Sequence, residues 1–172
     1  MGYVHDTHCS KFIPPTLFHV GAVGTWTQAA GAVAGTICQT VNDANQTSTV
    51  NIPIVIPSCS TAQTGSLLKS VEVDFTIRAG ALTALTAVFN KITRGANLGI
   101  AVVAPLAFTY DTGHDIAAER IDVDEHKMTL TLDEPIWLLN TEYCLVELTI
   151  DQAGATDVID LLGAVANYTY RV

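Results

Sequence analysis

The sequence is short of basic residues. Eight Lys and Arg stand against 17 Asp and Glu, which gives a formal net charge of −9 over 172 residues. Nucleic-acid binding needs clustered cations to replace the phosphate counterions, and eight scattered ones do not supply such a cluster. Anionic membrane surfaces are disfavoured for the same reason. We therefore expect neither nucleic acid nor a membrane among the partners.

Segments for targeting and membrane crossing are missing as well. No basic stretch leads into an apolar one near Met1, so we expect no signal peptide. The longest apolar run, residues 100–108, is far shorter than the roughly 20 residues of a spanning helix. The four cysteines contain no C-x-x-C pair, which excludes zinc ribbons and dithiol redox motifs. Cys38 and Cys144 lie in apolar segments, so we expect both to be buried.

Motifs of known catalytic machinery are absent too. The sequence contains no G-x-S-x-G elbow, no P-loop, no G-x-G-x-x-G and no H-E-x-x-H. The Asp-Thr-Gly at residues 111–113 matches part of the aspartic protease motif, but it occurs once and without a paired lobe. We therefore expect a protein that is not an enzyme.

What the sequence does contain is β-strand signal. Residues 67–79 alternate strictly, with Val71, Val73, Phe75 and Ile77 on one face and polar residues on the other. Residues 47–57, 127–132 and 142–151 alternate in the same way. Residues 81–93 would also permit a helix, but their Thr and Val content favours a strand. Because Pro lacks an N–H, Pro53 predicts an edge or bulged position and Pro105 a break.

Eight to ten such strands predict one all-β domain over residues 21–172. Even spacing and the lack of crossover helices favour an antiparallel β-sandwich, jelly-roll-like in our first interpretation and immunoglobulin-like in the second. Residues 1–20 read as an extended N-terminal arm, because Pro14-Pro15 favours open backbone. The arm is apolar enough to need a surface, either on its own domain or on a neighbouring subunit. We predict a subunit-interface role for Phe12, Ile13, Pro14, Pro15, Leu17 and Phe18.

The densest polar segment covers residues 110–126. Asp122, Asp124, Glu125 and His126 are close enough in sequence to share a divalent ion such as Ca²⁺, with His114 joining them from the preceding loop. The other interpretation is a solvated rim of β-turns, where these acids meet Arg120 and Lys127. A second cluster, His5, Asp6, His8 and Cys9, has donor types that suit zinc or nickel, or it is simply a polar part of the arm.

Four segments carry a resemblance to a known group. Residues 3–8 with Phe12-Ile-Pro-Pro, residues 109–115, residues 122–132 and the ending Asn167-Tyr-Thr resemble small phage-associated proteins. The resemblance implies a virion β-sandwich of the capsid-decoration or head-fibre type, commonly trimeric, bound to a larger protein shell and made in a host cytoplasm. It assigns no catalytic residue and no cofactor.

Three functional hypotheses follow. The main one is a non-enzymatic structural protein that self-assembles or decorates a virion capsid, its arm docking on a neighbouring subunit. The alternative is a carbohydrate-binding or metal-dependent binding module that uses the acidic segment 111–126. A metal-dependent enzyme using the same segment is a third, weaker option, and fold alone decides among none of them.

Overall fold

The computed structural model describes residues 5–30, 37–41, 45–59, 64–95, 101–154 and 157–171. Within these ranges lie two short 3-10 helices (Pro15–Leu17 and Ala117–Arg120) and twelve strands. None of the described helices is long or apolar enough to cross a membrane. In chain order the strands are β1 (Asp6–Ile13), β2 (His19–Val20), β3 (Trp26–Ala30), β4 (Ile37–Val41), β5 (Gln46–Ile54), β6 (Gly65–Ala79), β7 (Ala84–Thr93), β8 (Val102–Pro105), β9 (Phe108–Tyr110), β10 (Glu125–Leu138), β11 (Glu142–Gln152) and β12 (Val158–Arg171).

The strands form two sheets packed face to face. The seven-stranded sheet has the order β3-β4-β12-β6-β10-β9, with β1 also paired to β12. The five-stranded sheet has the order β2-β5-β11-β7-β8. Every pairing between these strands is antiparallel. The predicted all-β antiparallel sandwich is confirmed.

The core follows the period-two alternation of the sequence. On β6, all four residues predicted to share a face are fully or almost fully buried, and Val71 and Val73 pair with the buried Leu130 and Met128 on β10. From β11 the opposite sheet contributes Cys144, Val146, Leu148 and Ile150, also buried. Burying each large aliphatic side chain contributes about 1.5–3 kcal/mol, so this double layer holds the sheets together.

Pro53 lies in a stretch of its strand with a described partner on one side only, and Pro105 lies where a strand ends. Pro53 pairs with Leu145 on one side of β5, whereas β2 covers only Val50 and Asn51 on the other side, so no described ladder needs the missing N–H. At Pro105 the expected single strand 100–110 divides. Its first part, β8, pairs with β7, and its second part, β9, pairs with β10 in the other sheet. The chain therefore changes sheets just after this proline.

The predicted arm lies against its own domain over the described residues. Strand β1 pairs with β12 along its whole length, from Asp6 opposite Arg171 to Ile13 opposite Ala164. Ile13, Pro15 and Phe18 are buried in the chain's own core, whereas Phe12 and Leu17 are more than half exposed. Of the two surfaces that the sequence allowed for the arm, these contacts use its own domain. The interface role predicted for residues 12–18 stays a prediction, with Phe12 and Leu17 the exposed side chains to carry it.

Candidate functional site

A cleft of about 480 Å³ opens at one end of the five-stranded sheet. Four chain segments meet there: the exit of β5, the end of β7, the approach to β8, and the turn that enters β11. Its described lining is Val55, Ile56, Ser58, Ile92, Arg94, Ala101, Asn140, Thr141, Glu142 and Tyr143. The volume lies within the range of small-molecule sites in proteins.

The turn between β10 and β11 fixes one wall of the cleft. The N–H of Glu142 donates to the carbonyl of Leu139 at 2.9 Å, and this hydrogen bond closes the turn. The carbonyl of Thr141 accepts from the N–H of Arg94 at 2.9 Å, and the N–H of Asn140 donates to the carbonyl of Cys59 at 3.1 Å. These bonds tie the turn to two other segments, so the lining side chains start from a fixed backbone.

Glu142 anchors the base of the cleft. Its Oε1 accepts from Lys91 Nζ at 3.2 Å and from Thr93 Oγ1 at 3.3 Å, and its Oε2 accepts from the N–H of Leu139 at 3.0 Å. Burial works to raise the pKa of the Glu142 carboxyl, but the Leu139 hydrogen bond and the Lys91 ammonium outweigh it and lower that pKa. The carboxylate is thus ionised, and both of its oxygens accept hydrogen bonds. The positive charge of Lys91 balances its negative charge.

The rest of the lining combines an aromatic ring with an unpaired cation. Tyr143, 39% exposed, stands opposite Ile92 in the ladder, and Val55 beside the cleft is 56% exposed. The Arg94 side chain is exposed and has no hydrogen-bond or ion-pair partner in the described part of the chain. An apolar platform with polar groups at its margin can bind a ligand that has one apolar face and several hydroxyls.

The segment predicted to bind metal folds around two histidines instead. His114 Nδ1 lies 2.6 Å from Asp111 Oδ1, and His114 Nε2 lies 3.2 Å from His126 Nδ1. His126 Nε2 donates to the carbonyl of Asp122 at 3.0 Å, and the His126 ring stacks on Phe75 with centroids 4.6 Å apart. These contacts close the loop between β9 and β10 over the edge of the core.

Arg120 completes this loop from the second 3-10 helix. Its guanidinium is buried, donates to the carbonyls of His114 at 2.6 Å and Leu85 at 3.1 Å, and lies 4.3 Å from the centroid of the Tyr110 ring. Its Nε and Nη1 donate to backbone carbonyls, so Arg120 holds the loop closed.

The three carboxylates predicted as metal ligands do not contact these histidines. Asp122, Asp124 and Glu125 are exposed, and Asp124 Oδ1 accepts from the N–H of Glu125 at 2.8 Å. Among the described residues, no group of three or more His, Cys, Asp or Glu is placed to hold a metal ion. Of the five predicted ligands, the structure brings together only His114 and His126. The three carboxylates do not join them around one point.

The second predicted cluster is spread along β1. Asp6 accepts two hydrogen bonds from Arg171, at 2.7 and 2.8 Å, and His8 Nδ1 lies 3.3 Å from Thr169 Oγ1. Cys9 lies on the opposite face of the strand from these two side chains, as period-two alternation requires. Asp6 and His8 thus make cross-strand contacts to β12, as in the polar-arm interpretation, and the Cys9 thiol lies 3.6 Å from the carbonyl oxygen of Thr7.

The cleft itself was missed by reasoning from the sequence. Tyr143 occupies an outward position of an alternating strand, which is an ordinary place for a tyrosine, and Arg94 follows an ambiguous segment. The available signal was the large aromatic residue on the wet face of β11, two residues after the turn residues Asn140 and Thr141.

Comparison with known proteins yields structural similarity without a family. No protein-family model matches the chain, and no curated protein matches it. The predicted kinship with phage virion proteins therefore has no sequence-family support, although its β-sandwich part is confirmed.

Solved structures that are similar include carbohydrate-binding modules from the β-sandwich superfamily (TM-score 0.41, 11% identity, 97% of this chain and 56% of that one). They include the Clostridium thermocellum N-terminal endo-1,4-β-D-xylanase 10B modules complexed with xylohexaose (0.43, 10%, 92% and 27%). A third is the enzymatically active domain of bacteriophage CBA120 tailspike protein 4 (0.42, 6%, 95% and 19%). The chain spans little more than half of the first structure and less than a third of the others. The likeness is one of strand arrangement and assigns no ligand to this chain.

Proposed function

We propose that this protein is a non-enzymatic carbohydrate-binding β-sandwich module whose saccharide lies in the cleft beside Tyr143. The observation that carries the proposal is the exposed Tyr143 ring set among polar groups, Arg94, Asn140 and Ser58, at the rim of one cleft. A pyranose ring has an apolar C–H face that packs on an aromatic ring and an outer belt of hydroxyls that needs polar partners. The cleft offers both kinds of contact.

The proposal moves the binding site away from where the sequence suggested it. The alternative hypothesis placed a saccharide or a metal on the acidic segment 111–126. In the folded chain the loop 111–124 is held closed by His114, His126 and Arg120, whereas the open volume lies at residues 55–58, 92–94 and 140–143. A site at the sheet end needs no metal to organise it, because backbone hydrogen bonds already do so.

The chemistry of the cleft favours binding over hydrolysis. A glycosidase uses two carboxyl groups, one of them with a raised pKa. Among the described lining residues Glu142 is the single carboxylate, its pKa is lowered, and both of its oxygens accept hydrogen bonds from the protein. We therefore propose that a bound saccharide leaves unchanged.

The experiment is a glycan array followed by calorimetric titration of the best ligand. Tyr143→Ala removes the platform, and we expect its affinity to fall at least about tenfold, as for a well-packed aromatic anchor at a binding site. Val88→Ala is the matched control, because Val88 is also exposed on the five-stranded sheet and lies outside the cleft lining. An array without hits, or equal losses in both variants, would contradict the proposal.

Self-assembly is a second candidate, supported by a different observation. Strand β1 is eight residues long and pairs only with β12 among the described strands, so its other edge is open to strand addition by a second copy. Phe12 and Leu17 are exposed next to it. A trimer, a virion location and a capsid shell as partner stay predictions. Light scattering of the wild type and of Leu17→Asn tests assembly, and a monomer at every concentration would contradict it.

A further inference from the structure

We infer that the saccharide bound in the cleft is anionic, carrying a carboxylate or a sulfate that the Arg94 guanidinium receives. This inference rests on the proposed carbohydrate-binding function and names the class of its ligand. Its basis is an imbalance of charge: the cleft is locally cationic in a chain whose formal net charge is −9.

Arg94 is exceptional among the four arginines. Arg78 pairs with Asp160 at 2.5 Å, and Arg171 pairs with Asp6 at 2.7 Å. Arg120 is buried and bound to carbonyl oxygens. Arg94 alone has no partner for its guanidinium within the described part of the chain, although acids outnumber bases about two to one. A guanidinium without a protein partner, lining a cleft, is available to an anionic ligand.

The nearby acid cannot cancel this charge. Glu142 is the carboxylate closest in the lining, and Lys91 at 3.2 Å already neutralises it. The hydrogen bonds from Thr93 and Leu139 add two further contacts, so the protein engages both of its oxygens. The Lys91–Glu142 pair therefore sums to zero, and Arg94 remains as the uncompensated charge of the described lining.

A second cation lies at the margin of the cleft. Lys11 on β1 extends across to the five-stranded sheet, where its ammonium donates to the carbonyl of the lining residue Val55. A carbonyl satisfies a donor without cancelling its charge, and no carboxylate pairs with Lys11 among the described residues. Arg94 in the lining and Lys11 beside Val55 thus add two positive charges from different segments to the potential of the cleft.

The geometry of a guanidinium defines the ligand group. Its planar donors match the two oxygens of a carboxylate or the three of a sulfate in a bidentate contact, which neutral hydroxyls do not reproduce. With a sugar ring on Tyr143, an acidic substituent at the ring margin would face the Arg94 side of the cleft. Uronic acids and sulfated hexoses have such a substituent.

The test compares an acidic saccharide with its neutral ester and adds a sulfated saccharide as a second anionic probe. Calorimetry would measure trigalacturonate, its fully methyl-esterified counterpart, and a sulfated galactose trisaccharide against the whole chain at pH 7. We expect at least one of the two anionic probes to bind about tenfold more tightly than the ester at low salt. The advantage should shrink as ionic strength rises, because salt screens exposed charges.

Variants of Arg94 assign the effect to one side chain. Arg94→Gln should lower the affinity for the anionic probe more than the affinity for the ester, which removes the preference, and Arg94→Lys should retain part of it. Lys69→Gln is the control, because it removes one positive charge outside the described lining. If neither anionic probe binds the wild type more tightly than the ester, or if no probe binds, the inference is overturned.

The two proposals fail in distinguishable ways. If neutral glycans bind and Tyr143→Ala abolishes that binding, the carbohydrate-binding function stands even when the acid and the ester bind equally. If neither the array nor the three probes show binding, both proposals fall. Which of the two anionic probes binds more tightly identifies the anion as carboxylate or sulfate.

Discussion

Lys91 Nζ lies 3.2 Å from Glu142 Oε1 beneath the cleft, joining the end of β7 to the start of β11. The pair links the two strands, and the second oxygen of Glu142 accepts from the N–H of Leu139 in the turn between β10 and β11. The same carboxylate thus stabilises the fold and shapes the cleft, which makes its protonation measurable in both properties.

Glu142 should make stability depend on pH in a defined direction. Its pKa is lowered in the folded protein, so its contribution is complete above the ordinary value of 4.5 and is lost as the pH falls through the lower, folded value. Glu142→Gln should therefore lower the melting temperature at pH 7 and flatten its fall below pH 4.5. Thermal unfolding from pH 7 to pH 3 checks this. An unchanged pH profile in the variant would show that Glu142 carries no such linkage.

Gly163 should not tolerate a side chain. Its φ is +155°, and an added Cβ would lie 2.5 Å from a ring carbon of Phe12. We expect Gly163→Ala to lower the free energy of unfolding by about 1–3 kcal/mol, because backbone strain and overpacking act together. Gly113→Ala is the control, since nothing lies within 4 Å of its added Cβ. Denaturant titration measures both variants, and equal stabilities would contradict the contact with Phe12.

The Cys144 thiol should be inert in the native protein. Burial raises its pKa to about 12, with Lys91 opposing and Glu142 adding to that shift. At pH 8 the thiolate fraction would then be on the order of 10⁻⁴, too small for fast reaction. Ellman's reagent should give the same number of rapidly reacting thiols in native wild type and native Cys144→Ala, whereas the unfolded wild type should give one more than unfolded Cys144→Ala. A lower rapid count in native Cys144→Ala would show that Cys144 is accessible.

Divalent metal should leave stability unchanged. Asp122, Asp124 and Glu125 are exposed without converging, so the described part of the chain offers no preferential site that mass action could exploit. We expect millimolar Ca²⁺ or Zn²⁺ to shift the melting temperature no more in the wild type than in Asp122→Ala. A rise that Asp122→Ala abolishes would contradict this arrangement of the loop.

The sequence predicts the sandwich well because alternation is a local property. The alternation around Val71, Val73 and Phe75 predicts their buried face without information on any distant residue. The buried face of β11 is predicted in the same way. Pro105 indicates a break but not its outcome, because the change of sheet depends on which strands accept β8 and β9. Pairing of β1 with β12 is likewise a long-range contact that composition cannot select.

The candidate site could not be predicted for a related reason. Val55, Arg94 and Tyr143 are separated by about 40–50 residues each, and only the folded sheet brings them to one cleft. Sequence proximity instead drew attention to residues 111–126, where the acids are adjacent along the chain. In the folded loop Asp122, Asp124 and Glu125 are exposed to solvent. His114 and His126, twelve residues apart in sequence, lie in contact.

The most direct test of the central claim is calorimetric titration of the best array glycan into wild type, Tyr143→Ala and Val88→Ala. The three proteins should unfold at similar temperatures, since both substituted side chains are exposed. We predict one saccharide site in the wild type and in Val88→Ala, and a loss of affinity of at least about tenfold in Tyr143→Ala. Undiminished binding by a folded Tyr143→Ala would contradict the assignment of the cleft.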